Sequence, residues 1–272
     1  MSNDLSVPNQ KANLPAVPDY MKVADDHSLD NLKQYVRPPR IKVVQSTSDE
    51  KLREIFGIGS VILVPDNTLI LEPIRDGMGN IQYGTTPGFL FTPIFCFTEF
   101  CLWNPIQTKG RLPAIRERSF DPNSRVAARA RDFNNRTFPC PEEPAYNCVY
   151  CEHINFIVHI HGQKEQCIFT FSRGEFKAGT TLAGLAKMRA VPLFGNIFSG
   201  RLAARKNAKG SWVGVDCTNP DEGSPFVGEE AFQMYARLNK EYADLYNEKR
   251  IDVSYDDEPI DVDPVSDAAN SI

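Results

Sequence analysis

The alternation of apolar and polar side chains predicts a body built mainly of short β-strands. Residues 88–103 form the longest strand-like run, and residues 41–43 and 60–64 are shorter examples. Turn-forming Gly, Asn and Asp residues at 76–80 and 207–210 separate neighbouring runs. The remaining predicted strands are residues 68–74, 153–161, 165–172, 194–205 and 211–217.

Four segments follow a helical spacing instead. Residues 49–56, 125–132 and 180–190 predict short helices. Residues 227–250 predict the longest helix, because apolar side chains recur there every three or four positions. These side chains are Phe232, Tyr235, Leu238, Tyr242 and Leu245.

This order of elements predicts an α+β fold that is mainly β, an OB-like Greek-key β-barrel with a C-terminal helix. A β-sandwich suits the same order nearly as well. We expect a flexible N-terminal arm over residues 1–35 and a body over residues 36–251, with a Cys-rich insertion at residues 134–152. Residues 252–272 are expected to be an acidic, disordered tail.

Composition limits the class of protein. Of the 272 residues, 42% are hydrophobic and 24% are charged, which is ordinary for a globular chain and excludes wholesale disorder. The apolar runs are shorter than the roughly 18 residues of a membrane span, so no membrane association is expected. Residues 1–5 lack the features of a signal peptide, and we expect a cytoplasmic location.

The charge is unevenly distributed along the chain. The formal net charge is −5, but residues 252–272 hold seven acids and no Lys or Arg, which leaves +2 for residues 1–251. Positive charge is grouped within residues 109–131 and 173–209. This division favours a polyanion-binding body. The acidic tail would either compete for a basic groove and dock other proteins through its tip, or simply keep the chain soluble.

Aromatic and basic residues supply candidate contacts to a polyanion. The aromatic side of the strand at residues 88–103 suits either the core or a platform on which bases stack. Clustered Arg and Lys can neutralise phosphates, although each also suits a solvated surface. The candidate nucleic-acid contacts are Phe91, Phe95, Phe97, Trp103, Arg111, Arg116, Arg118, Arg125, Arg129, Arg131, Lys187, Arg201, Arg205, Lys206 and Trp212.

The seven cysteines favour free thiols or a metal site over disulfides in a cytoplasmic chain. Cys148 and Cys151 have the Cys-x2-Cys spacing of paired thiolate ligands, and Cys140 precedes them. His153 or Cys167 is the candidate fourth ligand, and His153 shares strand parity with Cys151. We therefore predict a structural zinc at Cys140, Cys148, Cys151 and His153; buried free cysteines are the alternative.

Evidence for catalysis is weak. His159 and His161 lie on one face of a predicted strand and are able to chelate a metal, but no third ligand has an obvious place. Their simpler role is as polar residues on a solvated or ligand-facing side. No phosphate-binding loop, dinucleotide fingerprint or nucleophile elbow occurs in the sequence. The sequence thus indicates a non-enzymatic protein.

With these features assembled, the chain resembles the phage-encoded single-stranded DNA-binding proteins. The resemblance rests on the Arg-Pro-Pro-Arg-Ile-Lys-Val-Val segment at residues 37–44, the β-rich, basic and aromatic body, and the acidic tail at residues 252–272. Phage proteins with a Cys-rich insertion, here residues 140–151, are also similar. The terminal Ile272 resembles the tips of such tails, but the Pro-Phe ending of bacterial members is missing.

The resemblance implies an oligonucleotide-binding barrel that coats single strands in phage replication, recombination or transcription. It also implies a place in the host cytoplasm, and replication or transcription proteins as partners of the tail. Other classes remain open. They are a transcription accessory factor that recruits an RNA polymerase, a metal-dependent enzyme built on His159 and His161, and a virion or scaffold protein.

Overall fold

The computed structural model describes residues 36–103, 115–133, 137–139, 147–208 and 210–255. The predicted N-terminal arm, most of the predicted Cys-rich insertion and residues 256–272 lie outside the described residues.

The described part of the chain is mainly β with some helices, as predicted. One ten-stranded sheet has the order β10-β9-β4-β7-β8-β1-β2-β3, with β5 beside β4 and β6 beside β7. The eight strands of the main path form a curled half-barrel. The strands are β1 (Arg40–Val43), β2 (Val61–Val64), β3 (Thr68–Leu71), β4 (Phe89–Trp103), β5 (Ile115–Ser119), β6 (Thr137–Pro139), β7 (Asn147–Ile160), β8 (Gln166–Ser172), β9 (Phe198–Asn207) and β10 (Gly210–Thr218).

The helices cover the sheet. α1 is Glu50–Phe56, α2 is Arg125–Phe133, α3 is Phe176–Met188 and α4 is Glu229–Asn247. Side chains of α3 pack with the rings of β4 and β8 in one apolar cluster, and α4 packs on the opposite side of β4 in a second. The predicted helices all occur, although α3 begins four residues before its predicted start.

A bulge in β4 changes which side chains face each cluster. The pairing of β4 with β7 shifts between Pro93 and Phe95, so that odd-numbered residues on either side of the shift face opposite ways. Phe91 lies in the α3 cluster, whereas Phe95 and Phe97 lie with α4. Strict alternation along residues 88–103 therefore misassigned half of that strand.

Two corrections concern the regions beside the predicted insertion. β7 starts at Asn147, inside the segment that was predicted to be the Cys-rich insertion. The strand extends this far because its pairing with β4 continues to the pair of Trp103 and Val149. β5 was not predicted, since its sequence Ile-Arg-Glu-Arg-Ser has little apolar alternation. It is held by antiparallel pairing with β4.

The body also continues beyond its predicted end. Val36 forms a parallel bridge with Ile251, and the side chains of Ile251, Val253 and Tyr255 are buried in the α4 cluster. The segment of residues 251–255, the C-terminal strap, therefore belongs to the folded body. The predicted tail boundary at residue 252 is too early by at least four residues.

Candidate functional site

A cleft of about 230 Å³ opens where β1 and β8 diverge. These parallel strands share a single backbone pair, between Arg40 and Ile168. The side-chain amide of Gln45 bridges to β10, because it donates to the Val213 carbonyl at 2.7 Å and accepts from the Val213 N–H at 3.1 Å. Polar and aromatic side chains line the cleft, including those of Thr47, Ser48, Ser172, Glu175 and Trp212.

Trp212 is a half-buried aromatic residue held in a fixed position in this cleft. Its Nε1 donates to Glu175 Oε1 at 2.9 Å. Glu175 also accepts from the Val215 N–H at 3.2 Å and pairs with Arg205, which offsets its charge. The ring rests against Gly174, where an added Cβ would lie 2.5 Å from it. The hydrogen bond and the glycine together restrict the ring to one orientation.

The other predicted stacking residues are buried. Phe91, Phe97 and Trp103 have almost no exposed surface, so their rings fill the core and present no platform to a base. Phe95 is half-buried and packs against Tyr246, with ring centroids 5.8 Å apart. The platform expected on residues 88–103 is thus contradicted by burial on both sides of β4, and the core alternative holds.

Acidic side chains form ion pairs with many of the arginines that were predicted to contact phosphates. The ion pairs are Arg118 with Glu99 and Asp252, Arg125 with Glu117, Arg201 with Asp221, and Arg205 with Glu175 and Asp216. Among the rest, Arg129 and Arg131 lie over aromatic rings, Arg116 is half-buried, and Lys187 and Lys206 are exposed. Arg111 lies outside the described residues. The count of bases in the sequence therefore overstates the charge available to a ligand.

A second polar site is buried between β4 and β7. In the antiparallel register Glu99 lies opposite His153 and Cys101 lies opposite Cys151, all on the side that faces α4. These four residues are named here the Glu99 cluster. The donor atoms of Glu99, Cys101 and His153 lie within 4.8 Å of one another, and all four side chains are buried. Such a set could hold a metal ion.

The C-terminal strap completes the Glu99 cluster. The hydroxyl of Tyr255 donates to Glu99 Oε2 at 2.8 Å and lies 2.9 Å from His153 Nδ1. Since a hydroxyl donates one proton, this contact requires His153 Nδ1–H to donate to the Tyr255 oxygen. His153 Nε2 is then left buried without a hydrogen-bond partner.

Two arginines neutralise the Glu99 cluster. Arg118 Nε lies 2.5 Å from Glu99 Oε1, and Arg118 Nη1 lies 2.6 Å from Asp252 Oδ1 in the strap. Arg173 Nε donates to Cys151 Sγ at 3.4 Å. Both guanidinium groups sit at the margin of the buried groups, where they offset negative charge on the carboxylate and on the thiol.

These contacts shift the pKa values of the buried groups. Burial alone would lower the pKa of His153, but the neighbouring groups of Cys151 and Glu99 outweigh burial and raise the pKa to about 9. Burial would raise the pKa of Glu99, but His153 and Arg118 outweigh burial and leave that pKa below its usual value. Burial would likewise raise the pKa of Cys151, but Arg173 and His153 outweigh burial and lower it. For Cys101, burial and the charge of Glu99 raise the pKa well above its usual value.

Of the four residues predicted to bind zinc, the structure describes the side chains of two. Cys151 and His153 are brought together as their shared strand parity predicted. Cys140 lies outside the described residues, and so does the side chain of Cys148. Sequence reasoning missed Glu99, Cys101 and Tyr255. One signal was present for Glu99, because it is the single charged residue within residues 88–103.

His159 and His161 serve structural contacts. His159 Nδ1 lies 2.5 Å from the Tyr235 hydroxyl and Nε2 lies 2.8 Å from the Gln163 carbonyl, so both ring nitrogens are occupied. His161 Nε2 lies 3.0 Å from Thr92 Oγ1. The alternative of polar residues with no metal role fits this arrangement, since both ring nitrogens of His159 already have partners.

The fold and these sites define a β-rich half-barrel protein with a polar cleft lined by β1, β8 and β10 and a buried carboxylate–thiol–imidazole cluster. A family model described as Pam3 phage gp34-like protein matches residues 72–247, more than half of the chain. The chain belongs to this family, which is a family of phage proteins. No curated protein and no solved structure matches it. No helix in the described ranges is long and apolar enough to cross a membrane.

Proposed function

We propose that this member of the Pam3 phage gp34-like family is a non-enzymatic single-stranded DNA-binding protein, and that the strand binds at the cleft between β1 and β10. The observation that carries the proposal is the half-buried Trp212 ring in a polar cleft lined by β1, β8 and β10 of the curled half-barrel. Proteins that bind single strands combine an aromatic surface for the bases with positive charge for the backbone.

The cleft offers both kinds of contact. Trp212 is held by Glu175 and Gly174, so binding of a base would cost little side-chain entropy. Thr47, Ser48 and Ser172 supply hydrogen-bonding groups along the cleft. Hydroxyl groups are able to contact bases or phosphates without reading a sequence, which agrees with sequence-independent binding.

Fewer cations are available near the cleft than the sequence predicted. Arg40 and Lys42 line the cleft itself, while Lys206 is exposed on β9 and Lys177 is exposed on α3. We assign phosphate contacts to these four cations, the basic rim of the cleft. Arg118 is not among them, because its guanidinium is paired with Glu99 and Asp252.

The acidic C-terminal residues have a regulatory and partner-docking role in this proposal. Residues 256–272 hold six acids and no Lys or Arg, and they follow the buried strap directly. Tethered carboxylates have a high effective concentration near a basic rim and would compete with phosphates there. When DNA occupies the rim, the tail is free to bind phage or host replication or transcription proteins.

Fluorescence anisotropy with labelled oligothymidylate and a duplex of the same length tests this proposal. We expect the single strand to bind more tightly than the duplex, and its affinity to fall as salt rises. Replacing Lys206 with Ala should reduce the slope of log affinity against log salt by about 1. Arg125→Ala is the matched control and should leave the slope unchanged, because Glu117 already pairs with Arg125 at 3.0 Å.

Two results would contradict the proposal. One is equal affinity for duplex and single strand at every salt concentration. The other is no detectable binding of oligothymidylate at low salt by a chain whose circular dichroism shows the expected β-rich fold.

A further inference from the structure

Among the described residues, the side chains able to bind a metal are concentrated in the Glu99 cluster. Two adjacent cross-strand pairs place a carboxylate, two thiols and an imidazole at the corners of one small area of sheet. In a tetrahedral zinc site the donor atoms lie about 3–4 Å apart, as follows from zinc–ligand distances of about 2.0–2.3 Å. One donor atom each of Glu99, Cys101 and His153 lies within 4.8 Å of the other two, whereas Cys151 is outside this group, so binding of one ion by all four residues requires the side chains to move closer together.

The orientation of His153 is that of a metal ligand. Its Nδ1–H is held by the Tyr255 oxygen, and its buried Nε2 has no hydrogen-bond partner. A zinc-binding histidine commonly donates its second N–H to an oxygen acceptor, which fixes the ring and its tautomer. A buried ring nitrogen without a partner costs stability, and a cation bound at that nitrogen would remove that cost.

The charge of the surroundings also suits a divalent ion. Two thiolates and one carboxylate carry three negative charges, one more than zinc supplies as positive charge. Arg118 contacts Glu99 and Arg173 contacts Cys151, so both cations are placed to offset the remainder. The N–H of Arg173 would then donate to a thiolate ligand, a contact that orients metal ligands in other sites.

We propose that the Glu99 cluster is a structural zinc site, in which Glu99, Cys101 and Nε2 of His153 are three ligands and Cys151, which lies outside the 4.8 Å group, moves in as the fourth. All four ligands come from the protein and all are buried, which is the arrangement of a closed, non-catalytic site. The ion would tie β4 to β7 beneath the C-terminal strap. This ligand set keeps two residues predicted from the sequence, Cys151 and His153, and replaces Cys140 and Cys148.

Zinc content of the full chain tests the proposal. Protein made in zinc-supplemented medium and purified without chelator should contain about one zinc per chain by elemental analysis. The Cys140→Ser/Cys148→Ser double variant should keep that zinc, whereas Cys101→Ser and His153→Ala should lose it. Chelator should lower the unfolding temperature of the wild type and of the Cys140→Ser/Cys148→Ser variant alike.

A cobalt titration keeps the test decisive if the cluster variants fail to fold. Wild-type apoprotein and the Cys140→Ser/Cys148→Ser variant should show the same thiolate-to-cobalt absorption at one equivalent. Loss of zinc and of this absorption in the Cys140→Ser/Cys148→Ser variant would overturn the proposal in favour of Cys140 and Cys148 as ligands. Absence of metal from the wild type, or a mass lower by two hydrogens that maps to a disulfide between Cys101 and Cys151, would also overturn it.

Discussion

Replacing Arg118 with Ala should destabilise the protein by about 3–5 kcal/mol, because it leaves the Glu99 carboxylate buried without its cation. Glu99 has no exposed side-chain surface, and Arg118 approaches it at 2.5 Å. The same guanidinium also holds the C-terminal strap through Asp252 and the Val253 carbonyl. Urea unfolding followed by circular dichroism would measure the loss.

Arg125→Ala is the matched control for this prediction. Arg125 also pairs with a carboxylate, Glu117, but the two side chains are 65% and 38% exposed. Exposed pairs contribute about 0–1 kcal/mol, so the control should unfold near the wild-type urea concentration. If Arg118→Ala costs no more than Arg125→Ala, the Glu99–Arg118 pair is not the buried interaction that the structure describes.

Truncation after Tyr255 should leave the stability nearly unchanged, whereas truncation after Ile251 should lower it. A chain that ends at Tyr255 keeps the strap and should unfold near the wild-type temperature. A chain that ends at Ile251 loses Tyr255, which is buried and hydrogen-bonded to both Glu99 and His153. Loss of a buried aromatic side chain costs about 3–5 kcal/mol, which corresponds to a fall of roughly 6–20 °C for a body of this size.

Thermal unfolding of the two truncated chains and the full chain checks this prediction. Tyr255→Phe in the full chain separates the two contributions, since it keeps the ring and removes only the hydroxyl contacts, and we expect a loss of about 1–3 kcal/mol. Equal unfolding temperatures for the chains ending at Ile251 and Tyr255 would show that the strap contributes nothing, and the body would then end where the sequence pattern placed it.

Local sequence signals predicted the helices and the late hairpin well. The spacing of Tyr235, Tyr242 and Leu245 predicted the buried side of α4, and the structure buries these three side chains. The turn at residues 207–210 joins β9 to β10, as the sequence predicted. These features depend on neighbours within a few residues, which is the range over which hydrophobic periodicity is informative.

The candidate sites depend on pairings between distant segments, and the sequence predicted them less well. Glu99 meets Arg118 and Tyr255 only because β5 and the strap lie beside β4. The bulge near Pro93 reversed the facing of later residues in β4, which simple alternation does not predict. A count of charges likewise does not predict ion pairs such as that of Arg201 with Asp221.

The fluorescence of Trp212 during titration with oligothymidylate tests the central proposal most directly. The protein has two tryptophans, and Trp103 is buried, so stacking of a base should quench Trp212 alone. We expect quenching in the wild type, none in Trp212→Phe, and an affinity about 5- to 150-fold weaker in Trp212→Ala, as loss of about 1–3 kcal/mol of stacking implies. Equal quenching in the wild type and Trp212→Phe, or unchanged affinity in Trp212→Ala, would contradict binding at the cleft.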